Sequence, residues 1–428
     1  MPRIMKKQIL FVAFITGMAI HASSQENSDT MAGTSDRSLS IYLDCPCCDM
    51  DYFRTRFTLV NYVTEQRDAD VYILVTDIGT GSGGTEYRMI LNGNNRFGIY
   101  KDTVVFTLPA DVTQEVMRSA LLKYTQFALV PFLMKTPARK HLSLYIDEET
   151  DENERTDQPD PWRSWTFTLS GSGRLYNEKT YRNYGITCGL YISKITPEIK
   201  LESNNFFEFD ESRFRLYDND TLIYSVVSTQ KTLSSSNLFV KSLGGHCGIG
   251  GIASVMKSDY SNLDLEMVAG PAVEFNLFSY EDASQKQLRF LYAVKYIHSD
   301  YIDSTVYNRM QDDLFMHELH IKFMYIDQWG EVLLNLSGSS YLDDWSHYYA
   351  GFRAMAGIKI VKGLSFDISG GLSYIRNQIS LKKGSVSAEE FLLGDREMQT
   401  NFNYNISLGL SFRFGSVFNN TVNPRFDM

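Results

Sequence analysis

The densest group of reactive side chains is Cys45-Pro46-Cys47-Cys48. Four thiolates at paired spacing would make a structural zinc site, because tetrahedral zinc takes four ligands. Here there are three, with no histidine nearby, and Cys188 and Cys247 lie far along the chain. In an oxidising compartment a disulfide among Cys45, Cys47 and Cys48 is expected; free thiols and a metal or redox role are the alternatives, and spacing leaves the pairing open. Gly79-Thr80-Gly81-Ser82-Gly83-Gly84 satisfies a GxGxxG pattern. A dinucleotide loop must open a helix, whereas Glu86-Tyr87-Arg88-Met89-Ile90 reads as a strand, so a hairpin loop is expected. A hydrolase needs a nucleophile and a base in mutual reach. Of the seven histidines, His298, His317, His320 and His347 fall near one set of loops, and nothing in their spacing favours a Ser-His pair. No catalytic residue, cofactor or metal is assigned, and the chain is read as non-enzymatic.

The elements that would position these residues follow from composition and period. The chain has 428 residues, 21% of them charged, with a net charge of -10. That balance argues against a nucleic-acid partner. Aromatics reach 13% while mean hydropathy is only -0.22, which suits strands that alternate between lipid and lumen better than membrane helices. The N-terminus carries Arg3, Lys6 and Lys7, then an apolar run from Ile9 to Ile20, then small residues. This is the layout of a signal peptide cleaved after Ser24, and the run is short for a bilayer span. No cysteine follows it until Cys45, so a lipoprotein anchor is not expected. No other stretch approaches eighteen uninterrupted apolar residues. Export without a helical anchor leaves the periplasm, the outside or a β-barrel.

Residues 25–38 are polar and expected to be disordered. Residues 39–147 read as a periplasmic α/β domain. Strands are expected at Leu39–Leu43, Asp70–Val75, Tyr87–Leu91, Thr103–Leu108 and His141–Ile146, with a short helix over Met50–Phe57. A longer helix is expected to be capped by Asp111 with Gln114 as its capping-box partner. Its apolar face holds Val116, Met117, Leu121, Tyr124 and Ala128, and Pro131 should kink or end it. Residues 148–161 are acidic and Pro-containing, a domain linker.

From Trp162 the period becomes two. Phe402, Tyr404, Ile406, Leu408, Leu410 and Phe412 alternate with Asn403, Asn405, Ser407, Gly409 and Ser411, so one strand face is greasy and the other polar. About twelve such segments begin near Trp162, Tyr181, Glu198, Lys231, Cys247, Asn262, Gln287, His317, Glu331, Tyr348, Gly363 and Asn401. Twelve is even, as single-chain bacterial barrels are. Alternate connections are short (Thr196-Pro197, Ser242–His246, Tyr280–Lys286, Asp327–Gly330, Val361–Gly363). Most of the opposite set are long (Asp210–Thr221, Ser299–Leu314, Tyr341–His347, Ile375–Thr400), matching short periplasmic turns and long outer loops.

The expected fold class is therefore α+β: a small periplasmic α/β domain, then a transmembrane antiparallel barrel over 162–415, then a periplasmic tail over 416–428. The tail is expected in the barrel mouth, against the α/β domain, or disordered. The polar face carries Asp264, Glu266, Glu274, Arg289, Lys295, Arg353, Lys359, Asp367 and Arg413, either as salt-bridged filling or as the lining of a pore. The expected location is the outer membrane, with its lipid as one partner and an envelope protein docked by the α/β domain as another. The function expected is a narrow pore or scaffold; the alternatives are a lipid hydrolase or a secretion and assembly platform.

Leu43-Asp44-Cys45, Cys48-Asp49-Met50-Asp51-Tyr52, Val60-Asn61-Tyr62-Val63 with Arg67 to Val71, Thr80 to Tyr87, Val240 to Gly244 and the closing Phe418 to Phe426 together resemble a group of Bacteroidota-type outer-membrane proteins. The resemblance spans nearly the whole mature chain. It implies a periplasmic domain ahead of a barrel, and no functional residue. The chain departs from that group at Cys45 to Cys48, where the spacer between cysteines is shortened.

Overall fold

The computed structural model describes residues 38–142, 160–387, 390, 393–416, 418, 420–423 and 425. All of them belong to one compact unit that begins at Ser38. The expected signal peptide, nearly all of the polar segment after it, most of the acidic linker and the expected strand beyond Leu142 lie outside the described residues. His141 itself ends a 3-10 turn over Pro137–His141.

The first half is a five-stranded sheet with two helices. Its strands are β1 (Leu39–Asp44), β2 (Val60–Tyr62), β3 (Val71–Gly79), β4 (Thr85–Gly93) and β5 (Lys101–Leu108), in the order β2-β1-β3-β4-β5. β1 runs parallel to β2 and β3, and the remaining pairs are antiparallel. From Val71 to Thr76 every residue of β3 is buried, as a near-continuous apolar run dictates for a strand covered on both faces. Helix α1 (Met50–Arg56) follows β1, and α2 (Gln114–Leu133) follows β5. Leu121, Leu129 and Phe132 of α2 pack with Ile41, Ile73, Met89 and Leu91 into one core. Burying each such side chain stabilises the domain by about 1.5–3 kcal/mol.

This half adds one strand to those expected and moves one helix cap, and α2 ends two residues after Pro131. The three-residue strand β2 was not anticipated. The cap of α2 is Thr113, whose hydroxyl accepts from the Val116 N–H, and not Asp111. Pro131 sits within α2, which runs on to Leu133. The N–H that proline lacks would have bonded the carbonyl of Phe127. Phe127 is 66% exposed and Pro131 is exposed too, so the proline falls on the solvent face of the helix.

The second half is one antiparallel sheet of twelve strands, the number expected. The first six are β6 (Trp165–Asn177), β7 (Tyr181–Ile195), β8 (Ile199–Asp218), β9 (Thr221–Leu243), β10 (Cys247–Ser258) and β11 (Leu263–Asn276). The rest are β12 (Lys286–Tyr301), β13 (Gln311–Asp327), β14 (Gly330–Tyr341), β15 (Tyr348–Val361), β16 (Leu364–Ile375) and β17 (Phe402–Phe412). Each strand pairs with its neighbours in sequence. The expected loop over 210–221 is instead strand. β8 and β9 run through it to a two-residue turn at Asn219-Asp220, where φ is 44° and 64°. Asn and Asp tolerate this left-handed pair, which hairpins favour.

The sheet curls. Asp395 precedes Phe402 by seven residues, at most about 25 Å of extended chain. It nevertheless accepts a hydrogen bond from Ser228 on β9. On a flat sheet β9 lies eight spacings from β17, about 38 Å away. Only a sheet bent toward its polar face brings the two together. The expected closed barrel is not reached, because no pairing joins β6 to β17 among the described residues. These margins run antiparallel to each other, so the topology permits a closing ladder. Alternation specifies strands and faces but carries no information about that last pairing.

Candidate functional site

Three surfaces are candidates: the apolar face of the large sheet, its charged face, and the junction with the α/β half.

Large side chains stand uncovered on the apolar face, among them Val273 (50% exposed), Phe352 (44%) and Leu372 (53%). Contiguous apolar surface of this extent marks contact with lipid or with other proteins. Aromatic rings gather at both of its ends. Tyr325 stacks on Trp329 at the short connections. Tyr296 packs on Phe315, and Tyr292 meets His317, which meets Trp345, at the long ones. Tyr325 and Phe315 are ten residues apart on β13. That is about 33 Å along a strand and about 25 Å at a tilt near 40°.

On the opposite face the structure brings some of the expected charges together. Lys295 pairs with Glu318 at 2.6 Å, and Arg289 with Glu274 at 3.6 Å. Tyr280 donates to Glu274, and Ser299 to Glu266. Arg353, Asn335, Lys322 and Arg289 occupy one register row across β15, β14, β13 and β12, so three cations share a level. Asp264 does not join the inner charges. It pairs with Lys257 at the exposed rim beside a register shift, which turns it off the polar face. Asp367 lines the cavity described next, and Arg413 donates its backbone N–H to Gly363. Glu318, Lys322 and His320 were missed as members of this face; in register they stand across from Ala293, Arg289 and Leu291.

The junction brings Lys359, expected on the polar face, together with residues of the α/β half to which no such contact was assigned. Lys359 donates to Asp44 at 2.7 Å, and Tyr72 donates to the same carboxylate at 2.7 Å. Burial and the Asp44 charge hold the Tyr72 phenol well above its ordinary range, so it stays a donor. Lys359 also lies over the Tyr42 and Tyr72 rings, a cation–π arrangement. Lys362 pairs with Asp68 at 2.6 Å, and Gln66 donates to Gln328 at 2.8 Å. At β6 and β7, the Gly81 carbonyl accepts from Thr166 and Ser193. A Cβ at Gly81 would stand 2.5 Å from the Ile195 Cβ, so only glycine fits. The α/β half therefore touches β6, β7 and the β13–β14 and β15–β16 connections, all at the short-connection end. Between the two halves lies a cavity of about 590 Å³ that includes Asp44, Asp77, Asp327, Glu331, Lys322 and Lys359 in its walls. The tail joins here as well. Phe418 bridges Val63, and Asn420 accepts from the Tyr62 N–H and donates to Asn61. The tail thus lies against the α/β half, along the edge at β2.

The far end is covered by the β16–β17 connection. Asn262 donates to the Ser380 carbonyl, Thr305 bridges Lys382, and Gln230 donates to the Gly394 carbonyl.

Cys45 and Cys48 form the disulfide, and Cys47 keeps a free thiol with its sulfur 3.4 Å from that of Cys45. Burial, then the Asp77 charge, push the Cys47 thiol up, away from the thiolate that nucleophiles and metal ligands need. His347 Nε2 contacts the Tyr307 hydroxyl, while both Asp344 and Ser346 meet its Nδ1. His298 lies between Asp313 and Asp300. A serine nucleophile belongs on the nitrogen opposite the carboxylate, and among the described residues neither of these two histidines has one there. The expected hairpin at Gly79–Gly84 joins β3 to β4.

Set against known proteins, the chain matches no protein-family model, and no curated protein matches it.

Proposed function

We propose that the twelve-stranded half is a closed barrel in an outer membrane, and that the α/β half sits beneath it in the periplasm as a plug. One observation carries this reading: an uncovered apolar band about 25 Å tall between two aromatic rows, with ion pairs on the reverse face. Those are the dimensions and polarity of a lipid-facing barrel wall. A soluble protein would cover such a face with a second layer. The protein acts as a scaffold rather than an open pore, because the α/β half spans one mouth and the β16–β17 connection the other. It has no enzymatic role in this reading. An envelope partner would meet β5, which among the described residues is hydrogen-bonded only through β4, and would add a strand at its other edge.

Flotation of the purified full chain with phosphatidylethanolamine–phosphatidylglycerol vesicles tests the placement. The band is expected to carry the protein into the lipid fraction in a carbonate-resistant form. Recovery in the soluble fraction overturns the reading. Planar-bilayer recording separates the two roles: a plugged scaffold is silent at low voltage, whereas steady conductance from the intact chain indicates an open pore.

A further inference from the structure

On the apolar face of β8 and β9, Ser203 stands across from Asn237, and Asn205 across from Ser235. Both strands carry Ser-x-Asn, so the antiparallel register closes four polar side chains into a square. Strand parity puts this square with Leu201, Phe207, Leu233 and Phe239, on the side away from Glu202 and Glu208. On β9 the same face carries Lys241 toward the short connections and Lys231 toward the long ones. These lysines are ten residues apart, about 25 Å at the usual tilt. Ser235 and Asn237 fall midway between them. If the apolar face lies in a bilayer, as proposed above, the square sits in mid-hydrocarbon.

Its internal bonds leave it incomplete. The Asn205 amide donates to Ser203 Oγ at 3.0 Å and to the Leu190 carbonyl at 3.2 Å. The Asn237 amide donates to Ser235 Oγ at 3.1 Å and to the Ala253 carbonyl at 3.4 Å. Neither asparagine Oδ1 accepts a bond from a described residue, and neither serine hydroxyl donates one. Acyl chains offer no partner, and polar side chains at this depth characteristically face protein or water. Beside the square, Gly251 and Ala253 floor a groove of about 360 Å³ rimmed by Trp165, Leu201 and Phe239. Small residues in a membrane surface let another backbone approach closely.

We infer that this face is the contact between two copies of the chain, related by a two-fold axis along the membrane normal that passes through the square. The argument for a second copy is complementarity. Asparagine and serine each offer both a donor and an acceptor, so the square matches itself. An axis along the normal keeps every residue opposite its mate at one depth, as an isologous contact requires. The free Oδ1 atoms then meet the free hydroxyls of the partner square.

The test is single-molecule photobleaching of the full chain, dye-labelled at its N-terminus, in vesicles of phosphatidylethanolamine and phosphatidylglycerol at low protein density. Two-step bleaching is expected of the wild type. The quadruple variant S203V, N205L, S235V and N237L puts apolar side chains where lipid already lies, so it should insert at least as well as the wild type, and its dimer fraction should fall at least tenfold. A wild type that floats with vesicles yet bleaches in one step overturns the inference, as does a variant that floats and stays dimeric. Failure of the wild type to float removes the membrane reading itself, a different result from an inserted monomer.

Discussion

Two side chains beside the disulfide test how local environment sets chemistry. Cys47 lies 3.4 Å from a disulfide sulfur, yet burial and Asp77 keep it protonated. In a background with Cys188 and Cys247 replaced by serine, alkylation of Cys47 by iodoacetamide should rise only above the pH at which a free cysteine reacts, near 8.5. Replacing Asp77 with Asn should shift the profile down by less than full exposure would, since burial is the larger cause. A normal thiol profile rejects the assignment. Asp49 is displaced the other way. The Tyr52 N–H, and then Arg118, hold its carboxyl below the ordinary range while it caps α1. A depressed folded pKa gives stability that is present above the unfolded value, about 3.9, and is lost as pH falls through the folded one. Hydrogen exchange on α1 should therefore show wild type better protected than D49N at pH 6, with the difference shrinking below pH 4. A difference that persists at pH 3 rejects the charge as its source.

At the scale of elements, α2 separates two readings of one sequence. Thr113→Ala should weaken α2 by about 1 kcal/mol, the usual worth of a cap, seen as a roughly fivefold loss of amide protection in its first turn. Asp111→Ala should leave it unchanged; the opposite ranking would restore Asp111 as the cap. Both residues precede a helical pattern, and only the backbone turn decides which of them is the N-cap, so sequence could not discriminate. Elsewhere the elements were plain wherever one period ran uninterrupted. Phe402 to Phe412 alternates without a break, and β17 spans those residues. The same rule failed on β8 and β9 beyond Phe209, where Glu211, Arg213 and Arg215 replace the apolar side chains on the outer face. Once a strand leaves the greasy band, its period disappears although its hydrogen bonds continue. β2 was hidden by its length: three residues show no period, and parallel pairing with β1 holds them. The junction was invisible for another reason. Asp44 and Lys359 are 315 positions apart, and although Lys359 was placed on the polar face, nothing in either segment names the other as its partner.

For the whole molecule, side-chain contacts hold the α/β half against the short-connection end of the large sheet. Two ion pairs do so, Lys359 with Asp44 and Lys362 with Asp68, and three of those four side chains are about a third exposed. Solvent screening limits each to about 0.5–1 kcal/mol. Losing both in K359M/K362M should then raise the undocked population by roughly five- to thirtyfold, since 1.4 kcal/mol is a factor of ten. Gly81 offers an independent lever, because its contact is steric. With Ile195 at 2.5 Å from any added Cβ, Gly81→Leu must displace either the hairpin or β7, whatever the ionic strength. If the α/β half is the plug, both variants should show brief openings in planar bilayers that the wild type lacks. Openings in the lysine variant should match those of wild type at high salt and change little with salt, while those of the glycine variant, which keeps both pairs, should be present at low salt and rise further as salt screens them. Faster proteolysis between Ser38 and Leu142 in both variants, without any conductance, would mean that the α/β half undocks from a barrel sealed by other means, namely its own paired charges and the β16–β17 connection.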